Sequence, residues 1–254
     1  MAAERITSRQ NPLVQHLHRI GTDRKYRRKS GCFLVEGDKL VGEALRWQGA
    51  PEVLVYTEGT ACPDGLPEGT RVVEVPGALM EHLSTVETPQ HLLALCRTPE
   101  LGLPQQVQPG SYLVLDGVQD PGNVGTIWRT ADAFGADGLI LLPGCADPFS
   151  PKTVRSSMGA CFRLPVWTAE LDALTQRLTE SGIPLWATAL RDDTADVRDI
   201  SLRGTAVVIG SEGRGVSQAT LERCTGTVKI PMRDRCESLN AAVAASVVLW
   251  EMAR

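Results

Sequence analysis

The stretch SYLVLDGVQDPGNVGTIWRTADAFGADGLILLP, residues 111–143, most restricts what this chain can fold into. A short apolar run leads into a loop holding Asp120, Pro121, Gly122, Asn123 and Gly125, then into a segment of helical character, then into a second apolar run. Strand, tight turn, helix and strand in that order make a βαβ unit. Glycines at the turn let the backbone take angles and approaches that a side chain would obstruct, while Asn123 and Arg129 place polar groups where the chain turns toward a crevice. The same glycines would serve a turn that binds nothing.

The alternation continues downstream. After Pro151 comes a helix and, near 162–166, a short strand; Leu171, Leu174 and Leu178 mark an amphipathic helix; PLWATAL, 184–190, is a strand, followed by the acidic surface loop RDDTADVRDI. TAVVIGSEGRGVSQATLERC reads as strand, glycine-rich loop and helix, and TVKIPM as a further strand. From about Ser238 a helix carries apolar and small residues on almost every face, which suits either dense burial or packing on a second subunit. Strands separated by crossover helices require a mostly parallel sheet covered on both faces. Such a sheet gathers the polar loops after Asp116, Ile209 and Met232 at its carboxyl edge, where one site can form. Neither GxGxxG nor GxxxxGK[ST] stands at a strand-to-helix turn, which argues against the common dinucleotide and phosphate-loop folds.

The first hundred residues read as a separate α/β module. Ser8 or Asn11 caps a helix starting at Pro12, with Leu13, Leu17 and Ile20 on one face. CFLVEG, DKLVGEALRW, PEVLVYTEG, RVVEVP, GALMEHLST and HLLALCRTP then alternate between strand and helix up to Pro99. Residues 1–30 hold eight Lys or Arg against Glu4 and Asp23, although the chain as a whole carries a formal charge of -4. An aromatic among cations, Tyr26 in DRKYRRKSG, can stack on an unpaired base while its neighbours hold phosphates. Arg5, Arg9, Asn11, Arg24, Lys25, Tyr26, Arg27 and Arg28 are the RNA-contact candidates; a solvated basic face is the alternative. Glu36, beside a turn, is read as a substrate contact or as a cap. ELGLPQQVQPG, 100–110, has two prolines and no apolar period, so it is expected to link the domains.

Composition excludes several classes. The net charge rules out a uniformly basic surface, so nucleic acid must meet a local patch. Seven cysteines at 32, 62, 96, 145, 161, 224 and 236 form no CxxC pair and have no histidines at ligand spacing, so no metal is expected. An odd, scattered count suits a reduced, cytoplasmic setting. No apolar run reaches the roughly 18–20 residues that span a membrane, and the opening lacks a signal-peptide core.

Three motifs, NVGTIWR at 123–129, VIGSEGRGVS at 208–217 and IPMRDRCESLNAAVAA at 230–245, together with RSSMGACFRLP at 155–165, resemble the TrmH/SpoU family of the SPOUT methyltransferases. SRQNPLVQHL and FLVEG are similar to that family's N-terminal substrate-binding module. The resemblance implies an α/β fold: an L30e-like RNA-binding domain over 1–99, a linker over 100–110, and over 111–254 a SPOUT domain with a mostly parallel sheet and a deep trefoil knot. It implies methyl transfer from S-adenosylmethionine to a ribose 2′-hydroxyl in RNA, with 23S-type ribosomal RNA favoured, by a homodimer. Motif matching puts Asn123, Arg129, Glu212, Ser238 and Asn240 at the catalytic centre, and Gly210, Gly213, Gly215, Ile230, Met232 and Leu239 around the cofactor. Where the family often has glycine between IPM and ESLN, this chain has Arg233, Asp234, Arg235 and Cys236, a more polar and less permissive loop. A transfer RNA methyltransferase, a non-catalytic RNA-binding or ribosome-assembly protein, and a nucleotide-dependent small-molecule enzyme are the competing readings.

Overall fold

A computed structural model describes residues 3–47, 51–191, 194–233, 235 and 238–254. In chain order the elements are β1 (Glu4–Arg5), α1 (Pro12–Thr22), α2 (Arg24–Ser30), β2 (Cys32–Glu36), α3 (Asp38–Trp47), β3 (Val53–Thr57), β4 (Arg71–Val75), α4 (Gly77–Leu83) and β5 (Leu92–Arg97). They continue with β6 (Tyr112–Asp116), α5 (Pro121–Ala133), β7 (Gly138–Leu141), α6 (Pro151–Ser157), β8 (Val166–Thr168), α7 (Leu171–Glu180) and β9 (Leu185–Thr188). Last come β10 (Ala195–Asp196), β11 (Ala206–Gly210), α8 (Gln218–Leu221), β12 (Gly226–Lys229) and α9 (Ala241–Met252). The chain divides into two compact units, residues 1–99 with 149–162, and residues 100–148 with 163–254.

In the first unit, strands run in the order β1-β4-β3-β5-β2, with β5 antiparallel to both neighbours and the β1, β4 and β3 pairings parallel. Asn11 starts α1 by accepting from the Leu13 N–H at 2.9 Å, and Pro12 needs no partner at the first helical position. Val14, Leu17 and Ile20 on one face of that helix are buried against Leu34, Val55, Val73 and Leu95. Asp23 caps α2 through the Tyr26 N–H at 3.0 Å, a bond that holds its carboxyl below the usual range, and Gly31 at φ 65° ends that helix.

In the second unit, seven strands lie parallel in the order β10-β12-β9-β11-β6-β7-β8. The central strands are buried on both faces, which is why LVL, GLIL and AVVI read as continuous apolar runs rather than alternations. Two strands begin with a glycine that a tryptophan covers: a Cβ at Gly138 would enter the Trp167 ring, and one at Gly226 the Trp186 ring. Gly210 pairs with Asp116, so β11 and β6 end level and their loops leave the sheet side by side. Helix α5 is fixed by the buried Trp128, whose Nε1 donates to the Leu164 carbonyl at 3.0 Å, and by Asp132, paired with Arg163 at 2.8 Å.

Three expectations differ from this arrangement. Residues 100–110 group with the second unit, because Val107 is buried there and its carbonyl accepts from Ser181 Oγ at 2.7 Å. Residues 149–162 group with the first unit, where Phe33 meets the rings of Phe149 at 4.6 Å and Phe162 at 6.0 Å. The strand expected near 162–166 is a 3₁₀ turn over Ala160–Phe162, and the strand itself starts at Val166. Among the described residues no helix is long and apolar enough to cross a membrane.

Gly138→Ala is expected to cost about 1–3 kcal/mol, because Trp167 must leave its position over the strand. Chemical denaturation measures this, and an unchanged midpoint would show that the ring moves freely.

Candidate functional site

A cleft of about 430 Å³ opens at the carboxyl edge of the parallel sheet, within the range of small-molecule sites. Its walls come from the ends of β9, β11 and β12 and from the segment that leads into α9. Gly210, Gly213, Gly215, Ile230, Met232 and Leu239 all line it, as do Glu212 and Ser238. Gly210 admits no side chain, since a Cβ would overlap the backbone of Gly215 and Val216. The loop between them closes on itself, with Gly215 N donating to Ser211 O at 2.9 Å, Ser211 N to Gly215 O at 3.1 Å, and Gly215 at φ 66°.

Beside this cleft three loops are joined by one run of hydrogen bonds. Asn240 Oδ1 caps α9, accepting from Ala242 N at 2.9 Å and Val243 N at 3.3 Å. Its Nδ2 must therefore point away from the helix, and it donates to Asn123 Oδ1 at 3.2 Å. Asn123, whose own N–H bonds the Asp120 cap at 2.9 Å, turns its Nδ2 to Glu212 Oε1. The structure thus brings together Glu212 of the glycine loop, Asn240 ahead of α9 and Asn123 of the first turn of α5, which lies 89 and 117 residues from them in sequence. Arg129 does not join them. It is exposed on α5, six residues past Asn123 and so about 240° further around the helix, with no hydrogen bond or ion pair among the described residues.

Sequence reasoning missed two contributors. Asp116, the acid that closes the apolar strand YLVLD, accepts from Ser217 N at 2.9 Å and Thr220 Oγ1 at 2.8 Å, fastening the far end of the glycine loop. Leu190 lines the cleft while 62% exposed, a large apolar residue at a strand end just before polar sequence, which was the available signal. Burial pushes the Cys145 and Cys224 thiols up to about 11, and the charge of Asp116 adds to both. They are neutral near pH 7 and unsuited to act as nucleophiles. Among the described residues no three His, Cys, Asp or Glu are placed to hold a metal ion. Asp234 and Cys236, part of the unusual polar loop, lie outside the described residues.

In the first unit, Arg9, Arg24, Lys25 and Arg28 are exposed. Arg27 corrects the expectation of a solvent-facing cation: it is 5% exposed and donates to the Ile20 carbonyl. Tyr26 is not open for stacking on both faces, because the Arg19 guanidinium lies 3.8 Å from its ring centre and its hydroxyl is 2.8 Å from His16 Nδ1. Asn11 caps its helix through Oδ1, and Arg5 pairs with Glu58 at 2.6 Å. The Glu36 carboxylate accepts from Ser84 Oγ at 2.6 Å and from the N–H groups of Thr85 and Gln90, both at 3.2 Å, so it fastens the 84–90 loop.

A parallel sheet with a glycine-walled cleft at its carboxyl edge defines the class: an α/β protein that holds a small ligand beside a polar, open surface. The chain belongs to the SpoU rRNA methylase family, whose profile matches residues 110–250, and residues 11–94 match the MRM3-like substrate binding domain. It is 34% identical over 249 residues to the 23S rRNA (guanosine(2553)-2′-O)-methyltransferase RlmP of Bacillus subtilis, covering 98% of this chain and 99% of that one. Against the 23S rRNA (uridine(2479)-2′-O)-methyltransferase of Streptomyces viridochromogenes the identity is 33% over 267 residues, covering 100% of this chain and 93% of that one. The crystal structure of an AdoMet-bound rRNA methyltransferase from Sinorhizobium meliloti superposes with a TM-score of 0.88 at 31% identity, over 98% of this chain and 97% of that one.

The asparagine run separates two substitutions at one position. Asn240→Ala removes the helix cap and is expected to cost about 1 kcal/mol in thermal unfolding. Asn240→Asp keeps the cap but cannot donate to Asn123, so stability should hold while hydrogen exchange in residues 211–215 quickens; equal exchange in both variants and wild type would refute the coupling.

Proposed function

We propose that this protein transfers a methyl group from S-adenosylmethionine to a ribose 2′-hydroxyl of ribosomal RNA. The observation that carries the reading is the Glu212–Asn123–Asn240 run beside a glycine-walled cleft, in a chain matched by the family profile through all three loops. The cleft fits the cofactor. Leu190, Ile230, Met232 and Leu239 offer apolar surface for an adenine ring, and Gly213, where a Cβ would meet nothing within 4 Å, leaves a bare backbone for polar groups. Bound there, S-adenosylmethionine supplies an electrophilic methyl group on a sulfonium.

The residues of the chain supply position and charge. Glu212 and Asn123 hold the glycine loop against the first loop, and Asn240 ties both to α9, so that a substrate oxygen meets a fixed surface. Arg129 is assigned to the ribose or its adjacent phosphate, where a guanidinium stabilises developing negative charge. Its reference pKa above about 12 makes it a poor neutral base. Ser238, on the cleft wall, orients the polar groups near the ribose.

Residues 1–99 are assigned an L30e-like fold that presents RNA through the exposed Arg9, Arg24, Lys25 and Arg28. The second unit is assigned a deep trefoil knot, supported by the alanines Ala241, Ala242, Ala244 and Ala245, which let α9 approach other backbone closely. A homodimer is supported by Val243 and Trp250, large apolar side chains of α9 that are 50% and 57% exposed.

Tritiated methyl transfer to a ribosomal RNA transcript, followed by mass mapping of the modified nucleotide, tests the reading; an unmodified transcript with cofactor bound would sink it. Arg129→Ala should lower kcat by about 10²–10³ with cofactor affinity retained, and wild-type turnover would refute its role. Replacing Arg24, Lys25 and Arg28 by Gln should weaken RNA binding and flatten the slope of log K against log salt by about 0.7 for each phosphate no longer neutralised. An unchanged slope would remove those residues from the interface.

A further inference from the structure

The motif RSSMGACFRLP supplies nothing to the cleft; its first residues instead line a second cavity of about 810 Å³ that lies wholly within the first unit. Leu34, Leu40, Val154 and Met158 give that cavity an apolar wall, and Val86 and Thr88 of the 84–90 loop close its other side. Two cations stand in its lining, Lys39 and Arg155, both exposed and neither side chain bonded to any partner among the described residues. Its acids are mostly engaged: Glu36 accepts from Ser84, Thr85 and Gln90, and Asp38 lies 3.1 Å from His91 Nε2, which leaves Glu87 without a partner among the described residues. Met158 is also the one non-glycine residue with left-handed backbone among the described residues, at φ 50°. A glycine would end α6 there without strain, whereas Met158 carries a side chain that walls the cavity.

Apolar surface, two unpaired cations and an acceptor at one cavity match the parts of a single nucleotide. We propose that this cavity is a second RNA subsite, which takes one unpaired nucleotide of the substrate at a distance from the methylated ribose. Arg155 and Lys39 hold its flanking phosphates, the half-buried Val86 and Met158 pack on the base, and the Glu87 carboxylate accepts from an amino or imino N–H at the base edge. The proposal rests on the RNA reading above and adds a contact outside the catalytic sheet.

Filter binding of an unmodified 23S-type ribosomal RNA transcript across a salt series tests it, with calorimetric S-adenosylmethionine affinity as the control for folding. The double variant Lys39→Gln/Arg155→Gln should lose about tenfold in RNA affinity and show a shallower salt slope, while Lys39→Arg/Arg155→Lys retains both. Thr88→Trp, at an exposed position of the cavity wall, should lose about tenfold with the wild-type slope, because it displaces a base and no charge. Cofactor affinity should be the same in all of them. Wild-type RNA affinity in the Thr88→Trp variant overturns the subsite, whatever the charge variant does, and so does an unchanged affinity in the charge variant. A wild-type protein that binds cofactor but no RNA overturns the RNA reading itself, and the subsite with it.

Discussion

Two N–H groups at the start of α9 set the direction of the amide run beside the cleft. Because Ala242 and Val243 donate to Asn240 Oδ1, that amide has no freedom to flip, and its nitrogen is committed to Asn123. Asn123 is committed in turn, and Glu212 receives the last donor. A helix cap, an interaction ordinarily worth about 1 kcal/mol of local stability, here fixes the relative positions of three loops. The capping side chain is hard to replace, since an amide places the acceptor for the helix and the donor for the next loop on two separate atoms, where a hydroxyl has a single oxygen for both.

That run needs the sheet beneath it to hold the loops within reach. The pairing of Gly210 with Asp116 does this for two of them, and the bonds from Asp116 to Ser217 and Thr220 repeat the connection on the other side of the glycine loop. The glycine loop is therefore fastened at Glu212 and again at Ser217, and closed on itself between Ser211 and Gly215. A wall held at three places in this way is ordered by the chain's own bonds rather than by a ligand.

Much of this was legible in the sequence for simple reasons. Continuous apolar runs of four or five residues followed by glycine-rich loops fix a parallel sheet and its loop-bearing edge, and the same loops carry the motifs that point to the family. What the sequence did not disclose depended on contacts across long separations. Arg27 sits in an unbroken basic run, and nothing local distinguishes it from Arg28; only the fold around Ile20 turns it inward. Tyr26 is likewise covered by Arg19 from the preceding helix. Val107 lies between prolines without a period, so its burial is visible only once Leu174 and Leu178 are seen beside it. Residues 149–162 change unit because aromatic rings at both ends find Phe33, a preference that no window of sequence could express.

The cleft draws its walls from residues 188–244, and the Asn240 cap comes late among them. During synthesis the ribosome exposes the first unit and the inner strands of the sheet well before Asn240 emerges, and these can fold as they appear. Until then the glycine loop has its Asp116 fastening but lacks the amide tie to α9. The nascent protein thus holds a folded first unit for a time before it holds a finished cleft, and the order of translation keeps the two apart.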